Sequence, residues 1–215
     1  MLKLASALLA GLVAMGGWAV VTVKDLPEYF VAGLQYTIEF QVRQHGRTLL
    51  SGLRPQLVLE SPGVGPVIVP AVARSSEGTY AATFTAPAAS QVSLTIRSGF
   101  GSTELQLYPE PVVAAGSSRP ALPPRDRGQM LFVAKGCNTC HSNIDLVSRP
   151  DNQAALKVGP ELGGRHLARE YVLQKVKNPS SQIMPDLGLS DAEASALAAF
   201  LSEGRAAATG GGGGR

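Results

Sequence analysis

Hydrophobic and polar residues alternate with a period of two along residues 35–108. Residues 36–42, 80–84 and 92–96 each place apolar side chains at every second position. This alternation is typical of β-strands that bury one face. We therefore predict six or seven short antiparallel strands, forming a small all-β sandwich over residues 25–108. Turn-forming residues separate the runs at His45-Gly46, Ser61-Pro62-Gly63, Glu77-Gly78 and Ser98-Gly99.

The pattern changes after the predicted β module. Residues 109–124 are rich in proline and small residues, so we predict a semi-extended linker there. Beyond it, apolar positions follow helical spacing around residues 128–135, 168–176 and 191–202. These helices predict an all-α domain over residues 125–204. The remaining residues, 205–215, end in a glycine run and are predicted to be disordered.

The N-terminal residues 4–23 form an apolar run without a charged residue. Twenty helical residues span roughly 30 Å, the thickness of the hydrocarbon core of a bilayer. We predict that residues 1–24 form a transmembrane anchor, with Lys3 in the cytoplasm and the rest exported. The predicted location is the cytoplasmic membrane, single-pass, with the other domains on the extracytoplasmic (periplasmic) side. A cleaved signal peptide is the alternative, although the run is long for one.

Charge and cysteine content narrow the possible functions. The formal net charge is +3, with basic and acidic residues interleaved, so we expect no nucleic-acid partner. The chain has two cysteines, Cys137 and Cys140. They lie too close together for the scattered framework of a disulfide-rich secreted scaffold, and a local chemical role is expected.

Residues 137–141 read Cys-Asn-Thr-Cys-His, the attachment signature for a c-type haem. Two thiols one helical turn apart reach the two vinyl groups of one porphyrin edge, and His141 is carried beneath the iron. A thioredoxin-like pair needs a βαβ context that is missing here. A zinc site needs a fourth ligand, for which His166 is a candidate. A structural disulfide or a chance occurrence also stays open on the pentapeptide alone.

The sequence around this motif resembles the class I cytochrome c domain from residue 128 to residue 203. The likeness rests on ordered motifs on both sides of the pentapeptide. They are Gly128 and Phe132 on the first helix, Val158-Gly159-Pro160-Glu161-Leu162-Gly163, Met184-Pro185-Asp186-Leu187-Gly188-Leu189-Ser190, and Leu197 and Phe200 on the last helix.

The resemblance implies one covalent haem c and a ligand set. Cys137 and Cys140 would form the thioethers, and His141 would be the proximal iron ligand. Met184 would be the distal ligand, by its position in a proline-bracketed loop. The Pro160 carbonyl would accept a hydrogen bond from His141. Tyr171 and Asn178 are candidate propionate contacts.

The predicted segments together give an overall architecture. The predicted β module resembles the immunoglobulin-like extracytoplasmic modules of some membrane-bound cytochrome and copper-handling proteins. The predicted fold is therefore multidomain: an N-terminal transmembrane helix, a small immunoglobulin-like sandwich and a C-terminal all-α cytochrome c fold. Its first and last helices should cross, with close backbone approach at Gly128. Ser190 and Glu193 should form a capping box at the start of the last helix.

Several other residues have a simpler interpretation. His166 is the rival for the sixth iron position, but a histidine at a helix start is usually exposed. His45 falls in a predicted turn and is expected to be solvent-exposed. Four lysines allow two interpretations: Lys135, Lys157, Lys175 and Lys177. In the simpler one they lie on a solvated helix face. In the other they surround the exposed haem edge and steer a redox partner.

The predicted function is single-electron transfer rather than catalysis. With both axial positions filled by His141 and Met184, no iron position stays open for a substrate. Electrons are expected to exchange at the thioether-bearing edge near Cys137, with redox proteins, and membrane complexes in particular, as donor and acceptor. The chain would be a carrier or a subunit of a respiratory or photosynthetic complex. The alternatives are a gas or redox sensor with a displaceable Met184 and an assembly subunit acting through the β module.

Overall fold

The computed structural model describes residues 17–146, 156, 158–179 and 184–204. Within them, a β-rich region comes first and a small helical region follows. The strands are β1 Ala19–Val23, β2 Phe30–Val31, β3 Gln35–Gln44, β4 Thr48–Leu49, β5 Gln56–Ser61, β6 Val64–Pro70, β7 Val72–Ala73, β8 Thr79–Thr85, β9 Gln91–Arg97, β10 Glu104–Gln106 and β11 Glu110–Val113. The helices are α1 Pro124–Ala134, α2 Cys137–Cys140, α3 Arg169–Lys177 and α4 Asp191–Glu203.

The strands form two sheets that enclose one hydrophobic core. One sheet has the order β1-β3-β8-β7, with β4 paired to β3. The other has the order β2-β11-β9-β5-β6, with β10 paired to β9. Phe30, Phe40 and Tyr80 are among the largest fully buried side chains of this core. The alternation in the sequence predicted β3, β8 and β9, and the structure confirms these three strands.

The predicted transmembrane helix is wrong where the structure describes it. Residues 19–23 form β1, which pairs antiparallel with β3 from Ala19 opposite Gln44 to Val23 opposite Phe40. All five residues of β1 are buried, and a strand buried on both faces has the continuous apolar sequence that also marks a membrane span. None of the helices in the described ranges is long and apolar enough to cross a bilayer. The single-pass membrane location is corrected with it, and residues 1–16 lie outside the described residues.

The β-rich region extends beyond its predicted boundary at residue 108. β11 lies inside the predicted linker and pairs parallel with β2 and antiparallel with β9. Its side chains explain this, since Glu110 is fully buried and Val112 is 7% exposed. The stretch between β11 and α1 is the part of the predicted linker without a strand. The predicted disordered tail lies outside the described residues.

The helical region is organised around the crossing of α1 and α4. An added Cβ at Gly128 would lie 2.0 Å from the carbonyl oxygen of Ala196, so glycine is what permits the close approach. Next to it, the rings of Phe132 and Phe200 meet edge to face, with centroids 5.7 Å apart. α4 begins at the predicted capping box, in which the Glu193 amide donates to Oγ of Ser190 over 3.2 Å.

The two regions share packing. Val133 and Ala134, on the last turn of α1, are fully buried and belong to the hydrophobic core of the β-rich region. Leu131 and Phe132, on the same helix, belong instead to the core formed with α4. α1 is therefore covered by the sheets on one side and by the helices on the other.

Candidate functional site

An apolar cavity of about 400 Å³ lies beside α2. Four side chains that can bond to a haem or to its iron line this cavity: Cys137, Cys140, His141 and Met184. They come from two segments more than forty positions apart in the sequence. The remaining wall is largely hydrophobic, with contributions from α3, from residues 158–162 and from the Met184 loop, residues 184–190.

The two cysteines sit on α2, which is a single helical turn. Gly136 precedes this turn with a φ of 74°, a left-handed conformation that glycine adopts without strain. The amide of His141 donates to the carbonyl of Cys137 over 2.9 Å, which places the imidazole directly after the turn. The two cysteines are not joined by a disulfide, so both thiols are free.

Burial raises the pKa of the Cys137 thiol to about 12, the neighbouring Cys140 adds to the rise, and Lys135 opposes it. Burial also raises the pKa of Cys140. Reactive redox cysteines need the reverse, a lowered pKa that exposes a thiolate at neutral pH. The environment of this pair therefore argues against the thioredoxin-like alternative.

The ring of His141 is held from behind. Its Nδ1 lies 2.9 Å from the carbonyl oxygen of Pro160, an acceptor, so Nδ1 carries the proton and donates. The other ring nitrogen, Nε2, is then the one with a free lone pair for a metal. A Cβ at Gly159 would lie 2.3 Å from Cε1 of His141, so any side chain there would collide with the ring.

The other predicted site residues have different positions. Met184 is half-buried and lines the cavity, followed by Pro185 and Leu187 in the same wall. Tyr171, 50% exposed, lies at the rim. Asn178 is exposed at the C-terminal end of α3 and is not among the cavity-lining residues.

The alternative histidines are engaged elsewhere. His166 is exposed, has a φ of 44° and contacts the carbonyl of Ser202 with Nδ1 at 3.2 Å. His45 is exposed in a turn, as expected, with its ring against Trp18. In the described ranges, no three side chains among His, Cys, Asp and Glu are grouped to hold a metal ion. The zinc alternative thus lacks its fourth ligand in this part of the chain.

The lysines divide into different environments. Lys135 is 3% exposed and lines the cavity, so the solvated-face interpretation is wrong for it. Its ammonium pairs with Glu193 at 2.6 Å. Lys175 also lines the cavity, 5.8 Å from the ring centroid of Tyr171, whereas Lys177 pairs with Asp191. Lys157 lies outside the described residues.

Sequence reasoning missed one wall of the cavity. Val20, on β1, is 3% exposed and lines the cavity together with Lys135 and Gly136. No local signal could have identified it, because Val20 and Cys137 are separated by the whole β-rich region. The valines at consecutive positions 20 and 21 of β1 indicate only that the strand is buried on both faces.

Comparison with known proteins supports the assignment of the helical region. Residues 123–201 match the family described as "Cytochrome C oxidase, cbb3-type, subunit III". Among solved structures, the "Crystal structure of the Lin-41 filamin domain" is 19% identical, covers 44% of this chain and 90% of its own, and has a TM-score of 0.34. The curated proteins contain no match. The helical region is a cytochrome c domain that implies haem c binding, and the chain is a c-type cytochrome involved in electron transfer.

Proposed function

We propose that this chain binds one haem c and passes single electrons between redox proteins. The carrying observation is that the two thiols, the imidazole and the thioether of Cys137, Cys140, His141 and Met184 line one cavity. One Cys-x-x-Cys-His pentapeptide in the sequence supports a single haem. The apolar wall fits a porphyrin, which is a large and mostly apolar group.

The proposal assigns a role to each of these residues. Cys137 and Cys140 form the thioethers, His141 is the proximal iron ligand and Met184 the distal one. Pro160 orients the imidazole and strengthens its donation, because its carbonyl accepts the Nδ1 proton. Gly159 leaves the space in which the ring stands. Tyr171, at the rim, is the better candidate for a propionate contact, since Asn178 lies away from the cavity wall.

Haem iron supplies a one-electron couple between its ferrous and ferric states. In this chain, His141 and Met184 would hold the iron, and the apolar wall would exclude water. A thioether ligand and an apolar wall both favour the ferrous state, so we expect a high reduction potential. With no position left for oxygen, electron transfer is favoured over catalysis.

The matched family's description names a subunit of a cytochrome c oxidase. By this similarity, we propose a respiratory role in which the haem domain exchanges electrons with a terminal oxidase or its donor. The chain would serve as a carrier or as a fixed subunit. Purification in mild detergent from the native host, followed by mass spectrometry of the co-purifying proteins, distinguishes the two.

The covalent link is tested first. Full-length protein made in a host competent for cytochrome maturation should gain the mass of one haem and give a haemochrome spectrum typical of two thioether bonds. The variant Cys137→Ser/Cys140→Ser should lose both signals. Pigment that is extracted by acidified organic solvent from the unaltered protein would contradict the proposal.

The distal ligand is tested with two methionines of one chain. Met184→Ala should abolish the far-red sulfur-to-iron band of the ferric protein. Met130→Ala, a half-buried residue of α1 outside the cavity, is the control and should keep the band. Exposure of the ferrous protein to carbon monoxide separates carrier from sensor: a carrier gives an unchanged spectrum, and rapid stoichiometric binding would favour a sensor.

A further inference from the structure

We propose that the β-rich region is a fixed wall of the haem site, formed by the outer face of β1. This wall closes the cavity on the side of Gly136 and Cys137, and it leaves the rim at Val158 and Tyr171 for electron exchange. The inference rests on the proposed function, because it gives the β-rich region a role in the cavity that is proposed to hold the haem.

The two faces of β1 pack against different parts of the chain. Ala19, Val21 and Val23 belong to the core between the sheets. Val20 and Thr22 point the other way, as alternate residues of a strand must. They are nevertheless 3% and 2% exposed, so another part of the chain covers them.

That covering part is the segment directly before the haem-attachment motif. A Cβ at Gly136 would lie 2.6 Å from Cγ1 of Val20 and 2.6 Å from the carbonyl oxygen of Val21. The hydroxyl of Thr22 donates to the carbonyl of Lys135 over 3.4 Å. β1 therefore touches the two residues that lead into Cys137, and Val20 reaches the cavity itself.

The neighbouring strand β3 continues the same outer face beside β1. Arg43 stands opposite Val20 in the β1–β3 register, and opposite residues of an antiparallel pair share a face. It is 8% exposed, with its guanidinium bonded to Oε1 of Gln41 at 2.6 Å. Burial lowers the pKa of Arg43, and the carboxylate of Asp186 opposes that shift. Arg43 and Asp186 therefore attract each other across this side of the fold.

Contacts on the other end of α1 hold this arrangement in place. The guanidinium of Arg127 donates to the backbone carbonyls of Leu26 and Pro27 and lies 3.8 Å from Glu28. The amide of Leu122 donates to Glu28 over 2.9 Å. Any swing of the β-rich region away from the haem domain would break these bonds and expose apolar side chains of α1.

The wall has two consequences for electron transfer. An apolar residue against the site excludes water. This favours the ferrous state, which is the less charged of the two, and so raises the reduction potential. It also moves electron exchange away from the edge near Cys137, where the sequence predicted it. On the remaining rim, Val158 and Tyr171 line the cavity and are 40% and 50% exposed.

Two neighbouring valines of β1 provide the first test in the full-length holoprotein. Val20→Thr keeps the shape of the side chain and puts a hydroxyl into the cavity wall. Val21→Thr makes the same change in the core between the sheets. We expect a lower midpoint potential for Val20→Thr and an unchanged one for Val21→Thr in a redox titration. Equal midpoint potentials in both variants would overturn the inference.

The second test does not depend on core substitutions. Val158→Glu adds a negative charge at the rim. Val64→Glu adds the same charge at another exposed valine, on β6, which is 53% exposed compared with 40% for Val158. At low ionic strength, oxidation of the ferrous protein by hexacyanoferrate(III) should slow several-fold for Val158→Glu only, since like charges repel. Rates are compared at the driving force measured for each variant. Equal rates for the two variants would overturn the assignment of the rim.

The outcomes also separate this inference from the proposed function. If the protein carries no covalent haem, the haemochrome assay fails and the function falls. If the haem is bound but the two valine pairs behave alike, only the wall is overturned.

Discussion

The ammonium of Lys135 lies 2.6 Å from Oε1 of Glu193, and the two side chains are 4% and 13% exposed. The same carboxylate accepts the backbone N–H of Ser190 over 3.0 Å in the capping box of α4. The ion pair therefore ties the residue before Gly136 to the helix that follows the Met184 loop. Both ends of the proposed ligand set are anchored to each other by this contact.

Removing one partner of this pair should be costly. Lys135→Met leaves the Glu193 carboxylate buried without its cation, and we expect the free energy of unfolding to fall by about 3 kcal/mol. Urea denaturation followed by circular dichroism measures it, and Lys135→Met/Glu193→Gln should recover most of the loss. Lys24→Met is the matched control, because Lys24 pairs with Glu39 at the same 2.6 Å but with side chains 40% and 32% exposed. Its loss should be about 0.5 kcal/mol, and equal losses would contradict the prediction.

Stability should depend on pH through Glu110. This side chain is fully buried, and neither carboxylate oxygen has a hydrogen-bond partner within the described residues. Burial raises its pKa to about 8, with Glu28 adding to the rise and Arg127 opposing it. Between the ordinary carboxyl pKa and about 8, the unfolded chain loses a proton that the folded protein keeps. The free energy of unfolding should therefore fall as the pH rises through this window, and level off above it.

Glu110→Gln should remove most of this slope. At pH values above the window, the variant should be more stable than the unaltered protein by on the order of 3 kcal/mol. Thermal and urea unfolding across the pH range measure the effect, with Glu60→Gln at an exposed position of β5 as the control. A slope that persists in Glu110→Gln would refute the assignment.

The crossing of α1 and α4 should tolerate no side chain at Gly128. In Gly128→Ala the new Cβ would meet the Ala196 carbonyl at 2.0 Å and Cβ of Phe200 at 2.7 Å. The helices must separate, and we expect a loss of about 3 kcal/mol in the free energy of unfolding. Gly65→Ala on β6, where a Cβ meets no atom within 4 Å in the described structure, should be neutral or slightly stabilising. Similar losses in both variants would argue against the packing explanation.

Gly159→Ala tests the support of the imidazole. The new methyl group would lie 2.3 Å from Cε1 and 2.5 Å from Nδ1 of His141, so the ring must turn away from the Pro160 carbonyl. We expect a higher midpoint potential and an altered visible spectrum of the holoprotein, because the imidazole loses its acceptor and then donates less strongly to the iron, which stabilises the ferric state less. Gly65→Ala should leave both measurements unchanged. An unaltered spectrum in Gly159→Ala would show that the tie to Pro160 is dispensable.

The sequence determined the elements whose signals are local. Alternation fixed β3, β8 and β9, because a half-buried strand repeats every two residues. Helical spacing located α1, α3 and α4, and the capping residues Ser190 and Glu193 placed the start of α4 at Asp191. The haem motif is equally local, since covalent attachment needs two thiols one turn apart and a ligand beside them.

Only the tertiary structure decided which surfaces these elements share. The apolar run at residues 19–23 has the composition of a membrane span, and its pairing with β3 and its contact with Gly136 make it a strand buried on both faces. The sequence alone allowed Lys135 to be a solvated residue. In the fold it is buried and pairs with Glu193, which lies 58 positions later in the chain. Such outcomes depend on contacts between distant segments, whose free energy comes from burial in the assembled fold and leaves no periodic trace in the chain.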